Sequence, residues 1–191
     1  MRDDSNENLS KIEQKLIYSF GLVNDWLKFA EAKNAALVTL SGATVFGLLS
    51  YTSSAQNLSL TWKIGIFAGI ALQIIACLVS LASFLPKISR LKILGTGRKT
   101  RLTDNDNLLF FGDLCKYSSK ELVNAVAHLY FQDESYLKSQ HKAHLDIADQ
   151  IIINSRIAVS KFRLFKIALW IAVASIPVIF IVTTVRALLT T

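Results

Sequence analysis

Ile64-Gly65-Ile66-Phe67-Ala68-Gly69-Ile70-Ala71-Leu72-Gln73-Ile74-Ile75-Ala76-Cys77-Leu78-Val79-Ser80-Leu81-Ala82-Ser83-Phe84-Leu85 contains no charge. A helix needs about 20 apolar residues to cross the hydrocarbon core of a bilayer, and this stretch meets that length, so it reads as a membrane span. Two more segments, Ala35 to Tyr51 and Ile167 to Leu188, approach or reach the same length; their one charge, Arg186, lies near the end of the last, where it can snorkel to the interface. The chain has 191 residues, 52% of them hydrophobic, only two prolines, and a mean hydropathy of +0.39, which is high for a soluble domain of this size. The expected fold class is all-α: an integral membrane protein with three transmembrane helices, and a helical cytoplasmic layer formed by long extensions of the first and third spans.

Charge placement sets the orientation, because lysine and arginine near span ends stay on the cytoplasmic side. The net charge is +7, and residues 52–61 between the first two spans carry none of it. Lys87, Arg90, Lys92, Arg98, Lys99 and Arg101 follow the second span, and Lys161, Arg163 and Lys166 precede the third. The expected order is a cytoplasmic N-terminal helix over 1–34, spans over 35–51, 62–85 and 167–188, an external loop over 52–61, and a basic cytoplasmic sensing region over 86–166. The expected topology is multi-pass with the N-terminus in the cytoplasm, and the resemblance drawn below implies a bacterial inner membrane as the location. Met1 to Glu7 is polar and acidic, so no cleavable signal peptide is expected. Cys77 and Cys115 fall in different parts of this topology and are expected to be free thiols without a redox role.

Outside the spans, Leu9, Ile12, Leu16, Val23 and Ala30 recur in 3,4 steps with Ser19 and Trp26 in the gaps, the pattern of a helix with one packing face. No proline separates this stripe from the first span, so one long helix is expected. Gly95-Thr96-Gly97 and Thr103 to Asn107 mark a turn-rich connection. Leu108 to Phe111 is a short apolar anchor, and Ser118 with Glu121 has capping-box spacing for a helix over Ser119 to Phe131. After a break at Gln132 to Ser135, a helix from about Tyr136 runs into the third span, with Pro177 able to bend it.

Gly65, Gly69, Gln73, Cys77, Ser80 and Ser83 share one face of the second span, and Ala36, Thr39, Ala43, Gly47 and Ser50 form a comparable stripe on the first. Such stripes serve close helix packing, or they line a pore; a mid-membrane amide such as Gln73 needs a partner or water in either case. Three spans cannot enclose a channel alone, so a homo-oligomer is expected, a tetramer among the allowed assemblies. His141 and His144 stand at i, i+3 near Asp146, but a third ligand is missing and lysines flank the pair; they read as solvated surface residues and no metal is expected. No phosphate loop, nucleophile elbow or catalytic carboxylate pair occurs, so neither an enzyme nor a cofactor is expected.

Residues 86–166 hold fourteen lysines and arginines against eight acids. Those beside the spans suit membrane lipids with anionic headgroups. Lys116 and Arg156 lie further from the spans and suit a phosphate-bearing ligand, either a nucleotide or a short single-stranded nucleic acid stacking on Tyr117, Tyr130, Phe131 or Tyr136; core packing is the commoner fate of such aromatics.

Three blocks resemble a known family. Asp25-Trp26-Leu27-Lys28-Phe29-Ala30-Glu31-Ala32-Lys33-Asn34-Ala35-Ala36-Leu37 enters the first span, Leu109-Phe110-Phe111-Gly112-Asp113-Leu114 precedes Ser119-Lys120-Glu121, and Gln150-Ile151-Ile152-Ile153-Asn154-Ser155-Arg156-Ile157-Ala158-Val159-Ser160-Lys161-Phe162-Arg163 leads into the last. In order and spacing they resemble the Pycsar-type transmembrane effectors of bacterial antiphage defence, over nearly the whole chain. The resemblance implies a membrane effector that kills the infected cell (abortive infection) when a nucleotide second messenger from a functionally linked cyclase or nucleotidyltransferase changes state. It implies Lys33, Asn154, Arg156, Lys161 and Arg163 as ligand or coupling positions and Glu31 as an ion-pair partner. Gln150, Asn154 and Lys161 share one helical face while Arg156 and Arg163 share another, which points to a ligand held between subunits. Relatives opened by a cyclic mononucleotide, and Hailong-type effectors held shut by a nucleic-acid oligomer, both remain open readings here. The alternative class is a scaffold whose basic layer holds lipid or a soluble partner. Leucine at Gln73 and Ser80 separates the two, since a scaffold tolerates it and a conducting stripe does not.

Overall fold

The computed structural model describes residues 2–55, 58–85, 103, 105–132 and 141–189, and the side chains among them except those of 2–6 and 182–189. The basic run from Lys87 to Arg101, the turn at Gly95 to Gly97, Tyr136 and the Arg186 side chain lie outside that description. Helix α1 spans Arg2–Ser54, α2 spans Leu60–Leu81 and continues into a 3-10 turn at Ala82–Phe84, α3 is the short Phe111–Leu114, α4 spans Ser119–Phe131 and α5 spans Lys142–Leu189. No strand occurs among the described residues. Three helices are long and apolar enough to cross a membrane, found within Glu7–Ser54, Leu60–Phe84 and Lys142–Ile181. The protein is an all-α integral membrane protein.

Helix α1 is continuous, and Gly21, Gly42 and Gly47 within it face open space. Its buried stripe is Ile12, Leu16, Ser19, Val23, Ala30, then Asn34, Leu37 and Ser41, so the 3,4 step extends into the apolar half. Helix α2 opens on Ser59, whose hydroxyl accepts the Trp62 N–H at 3.4 Å. After the 3-10 turn the backbone is extended at Leu85, as the residue before a proline requires. The Ser118 capping box forms: its hydroxyl accepts the Glu121 N–H at 3.4 Å and Glu121 Oε2 accepts the Ser118 N–H at 2.8 Å. Helix α4 stops at Gln132, which takes a left-handed φ of 51°. Helix α5 begins at Lys142; the expected start near Tyr136 falls outside the described residues. Pro177 sits inside α5.

The chain divides into two units, Met1–Phe29 with Lys87–Ser160, and Ala30–Pro86 with Lys161–Thr191, so α1 and α5 each contribute to both. The first unit has an apolar core, with Ile12, Leu16, Leu108, Leu114, Leu122, Val126 and Ile151 nearly inaccessible. In the second unit the pattern is reversed relative to a water-soluble protein. Leu40, Phe46, Phe67, Leu78, Trp170, Ile176 and Phe180 are exposed, whereas Asn34, Ser41, Gln73, Ser80, Ser83, Lys161 and Ser175 are buried. Hydrocarbon as the outer solvent accounts for it, since lipid costs apolar side chains nothing while polar ones find partners inside.

Candidate functional site

Lys161 anchors the polar node of the second unit. The helix places it on the inward face, and it is only 8% exposed. Its Nζ lies 3.0 Å from Glu31 Oε1 and donates to the Ser83 carbonyl at 2.9 Å, with the Phe84 ring 5.5 Å away. Asn34 adds a second tie, donating from Nδ2 to the carbonyls of Ala30 at 2.9 Å and Lys161 at 3.2 Å. Residues from α1, from the end of α2 and from α5 are thus held around one ammonium group, and a buried charge of this kind persists only while its partners stay in place. Lys33 lies over the Phe165 ring at 5.4 Å, and Arg163 is exposed.

Further along α5, Gln73 donates to the Ala172 carbonyl at 3.2 Å and to Ser175 Oγ at 2.8 Å, and Ser175 donates to Ala172 at 2.7 Å. A Cβ on Gly69 would come within 2.6 Å of Ile179, so α2 and α5 approach this closely only with glycine there. Gly65 and Ser80 are buried on the same face. The first span behaves differently. Ala36, Thr39, Ala43, Gly47 and Ser50 all face outward from this chain, and Thr39 donates its hydroxyl to the Ala35 carbonyl at 3.1 Å.

In the first unit, Arg156 donates from Nε to the Cys115 carbonyl at 3.1 Å and from Nη2 to the Tyr117 carbonyl at 3.2 Å, fastening the turn between α3 and α4 onto α5. Lys116 lies between Asp113 at 2.6 Å and Asp106 at 3.1 Å. Tyr117 donates its hydroxyl to Asp106 at 3.2 Å. Burial pushes the Tyr117 phenol up to about 12, with the charge of Asp106 adding to it. For Asp106 burial acts upward but is outweighed by the bonds from Lys116, Thr103 and Tyr117, which hold its carboxyl below the usual range. The bond that Lys116 donates to Asp113, followed by the one it donates to Asp106, raises the Lys116 ammonium. A phosphate approaching Lys116 would compete with two carboxylates. Asn154 donates to Asn24 Oδ1 on α1 at 2.8 Å. Gln150 is exposed and lines a groove of about 260 Å³ with Phe20, Asp146 and Ile147.

The sequence-expected positions therefore fall into two groups. Lys116, Gln150, Asn154 and Arg156 belong to the first unit, and Glu31, Lys33, Lys161 and Arg163 to the second. The expected Glu31 ion pair is present with Lys161. One expectation is corrected: His144 is not a solvated surface residue but is 5% exposed, because it begins the inward stripe that continues through Ala148 and Ile151. Both cysteines are free, and burial raises the Cys115 thiol. Asn34 and Asp106 escape sequence reasoning as site residues, although Asn34 continues the α1 stripe between Ala30 and Leu37 and is visible to that extent.

A family model for the Pycsar effector protein domain matches residues 15–188. The chain belongs to the Pycsar effector family. It is also 34% identical over 142 residues to the Pycsar effector protein RsPycTM of a Rhizobium species, a match covering 74% of this chain and 77% of that protein. No solved structure matches the chain. As a Pycsar effector with three apolar helices, the protein is a membrane effector of antiphage defence. The family match reaches across all three spans, so the Lys161 node and the Gln73 clamp both lie inside the matched region.

Proposed function

We propose that this Pycsar effector is a nucleotide-regulated, oligomeric pore of the bacterial inner membrane, whose opening collapses the membrane potential and kills the infected cell. The observation that carries the reading is the buried Lys161 ammonium, held by the half-exposed Glu31 and the Ser83 carbonyl, on helices that also supply the walls of the first unit. A buried charge is held only while its partners stay in place, so the packing around it has discrete arrangements and a ligand can bias their balance. Family membership favours a cyclic mononucleotide from a partner cyclase over a nucleic-acid oligomer, and opening over inhibition. The ligand would meet the protein in the cytoplasm, where the first unit and the basic flanks stand, with the N-terminus on that side. Arg163, which is exposed, is the cation of the expected set best placed to meet a phosphate, because Lys116 and Arg156 are committed to Asp106, Asp113 and two carbonyls. No catalytic step belongs to this reading.

Cells expressing the chain, with and without a panel of cyclic mononucleotides, test it through a potential-sensitive dye. Depolarisation in one nucleotide condition is expected, and polarised membranes in all of them would remove the pore.

A further inference from the structure

The inward hydroxyls and amides of the membrane unit differ from the outward ones in a way that packing alone does not require. On the outward side of α1, Thr39 and Thr44 each donate to the carbonyl four residues back, at 3.1 and 2.8 Å. Closed on their own helix, such groups rest in lipid. On the inward side, Asn34 Oδ1, Ser41 Oγ, Gln73 Oε1, Ser80 Oγ and Ser83 Oγ are buried and have no hydrogen-bond partner among the described residues. Exchanging oxygen and nitrogen on either amide does not relieve this, because each amide nitrogen already donates to two acceptors.

These groups form two levels. Asn34, Ser80 and Ser83 gather toward Lys161, to whose backbone and ammonium Asn34 and Ser83 are bonded. Ser41 and Gln73 lie toward Ser175, which Gln73 bonds. Between the levels sits an apolar cluster of Leu37, Ala76, Ala168 and Ala172, with Val79, Phe165 and Ile171 against it. On every helix the order agrees: Asn34, Leu37, Ser41 on α1; Ser80, Ala76, Gln73 on α2; Lys161, Ala168, Ser175 on α5. Polar levels separated by an apolar layer are the arrangement of a constriction that gates by excluding water.

We propose that in the assembled oligomer this concealed inner face, and not the outward stripe of α1, turns to line the path for water and small ions when the effector opens, with the Leu37–Ala76–Ala168 layer as its gate and the Lys161 node closing one end. The proposal rests on the pore reading above. Parting of the helices at the apolar layer joins the two polar levels into one continuous polar surface.

The test places the full-length chain in vesicles of phosphatidylethanolamine and phosphatidylglycerol under a potassium gradient read by a potential-sensitive dye, with and without the 3′,5′-cyclic mononucleotides. Leu37→Ser, which wets the layer, is expected to discharge the gradient severalfold faster than the parent with no nucleotide added. Ala168→Ser, a one-atom addition, is expected to do the same to a smaller degree and serves should Leu37→Ser fail to fold. In a background lacking both Cys77 and Cys115, Ser80→Cys is expected to react with a water-soluble methanethiosulfonate only in the nucleotide condition that opens the parent, while Thr39→Cys stays unreactive. If nucleotide opens the parent but both serine variants hold the gradient and Thr39→Cys reacts in place of Ser80→Cys, the inner-face assignment is overturned and the pore survives. If nothing discharges the gradient, both fall together.

Discussion

Lys161 is a long cation where the sequence alone shows only a basic flank before a span. Its neighbours Arg163 and Lys166 are exposed, and it differs from them only in facing inward, toward Glu31 and the end of α2. Replacing it by methionine keeps the aliphatic stem and removes the charge, leaving the Ser83 carbonyl without its donor. Glu31 remains 46% exposed and can hydrate, so the loss in stability is about 1–2 kcal/mol, below that of a fully enclosed pair. Detergent unfolding of Lys161→Met checks it; a Glu31→Gln/Lys161→Met double variant is expected to cost less than the sum of the singles. Tyr117 supplies the pH prediction. Its phenol ordinarily titrates near 10.0 and rises to about 12 here, so the folded state holds the proton longer than the unfolded one. Stability from this group is therefore intact below pH 10 and is lost as pH climbs toward 12, by about 2 kcal/mol. Tyr117→Phe is expected to flatten the unfolding midpoint across that window. The bond of Tyr117 to Asp106 was not legible in the sequence, because it depends on how the turn before α3 folds; for Lys161 the family resemblance implied a coupling position and Glu31 as an ion-pair partner, but not the Ser83 carbonyl from another helix.

Helices were the most legible feature. The capping box at Ser118 and Glu121 marks α4 from Ser119 to Phe131, because both partners of that motif are local. The small-residue stripes were legible as stripes, but their direction was not, since helical periodicity tells which residues share a face and not what that face meets. The stripe on α2 turns inward and that on α1 outward, and a pair of glycines measures the difference. At Gly69 a side chain collides with Ile179, whereas at Gly47 nothing lies within 4 Å. Gly69→Val is expected to destabilise the protomer by about 1–3 kcal/mol, as overpacking does, and to lower its thermal midpoint. Gly47→Val is expected to leave the protomer's stability unchanged. Should Gly47→Val alter the oligomer seen by light scattering in detergent, the outward stripe of α1 is a contact between copies.

Over the whole molecule, one arrangement of charge and one of polarity have to agree. Apolar side chains face out and polar ones in across the second unit, which fixes that unit in the hydrocarbon layer without fixing which way it points. Direction comes from the flanks: the connection between α1 and α2 holds no charge in residues 52–61, while lysines and arginines crowd the other ends of the spans. This asymmetry was fully legible, because it depends on composition and not on packing. The orientation proposed above puts Ser53 outside the cell and Lys120, at the start of α4, inside. Both positions are exposed and neither carries the folding of its helix. In a chain lacking Cys77 and Cys115, a membrane-impermeant maleimide added to intact spheroplasts is expected to label Ser53→Cys and to reach Lys120→Cys only after lysis. The reverse pattern would put the first unit beyond the reach of any cytoplasmic nucleotide, and regulation by a cyclase product would have no physical route.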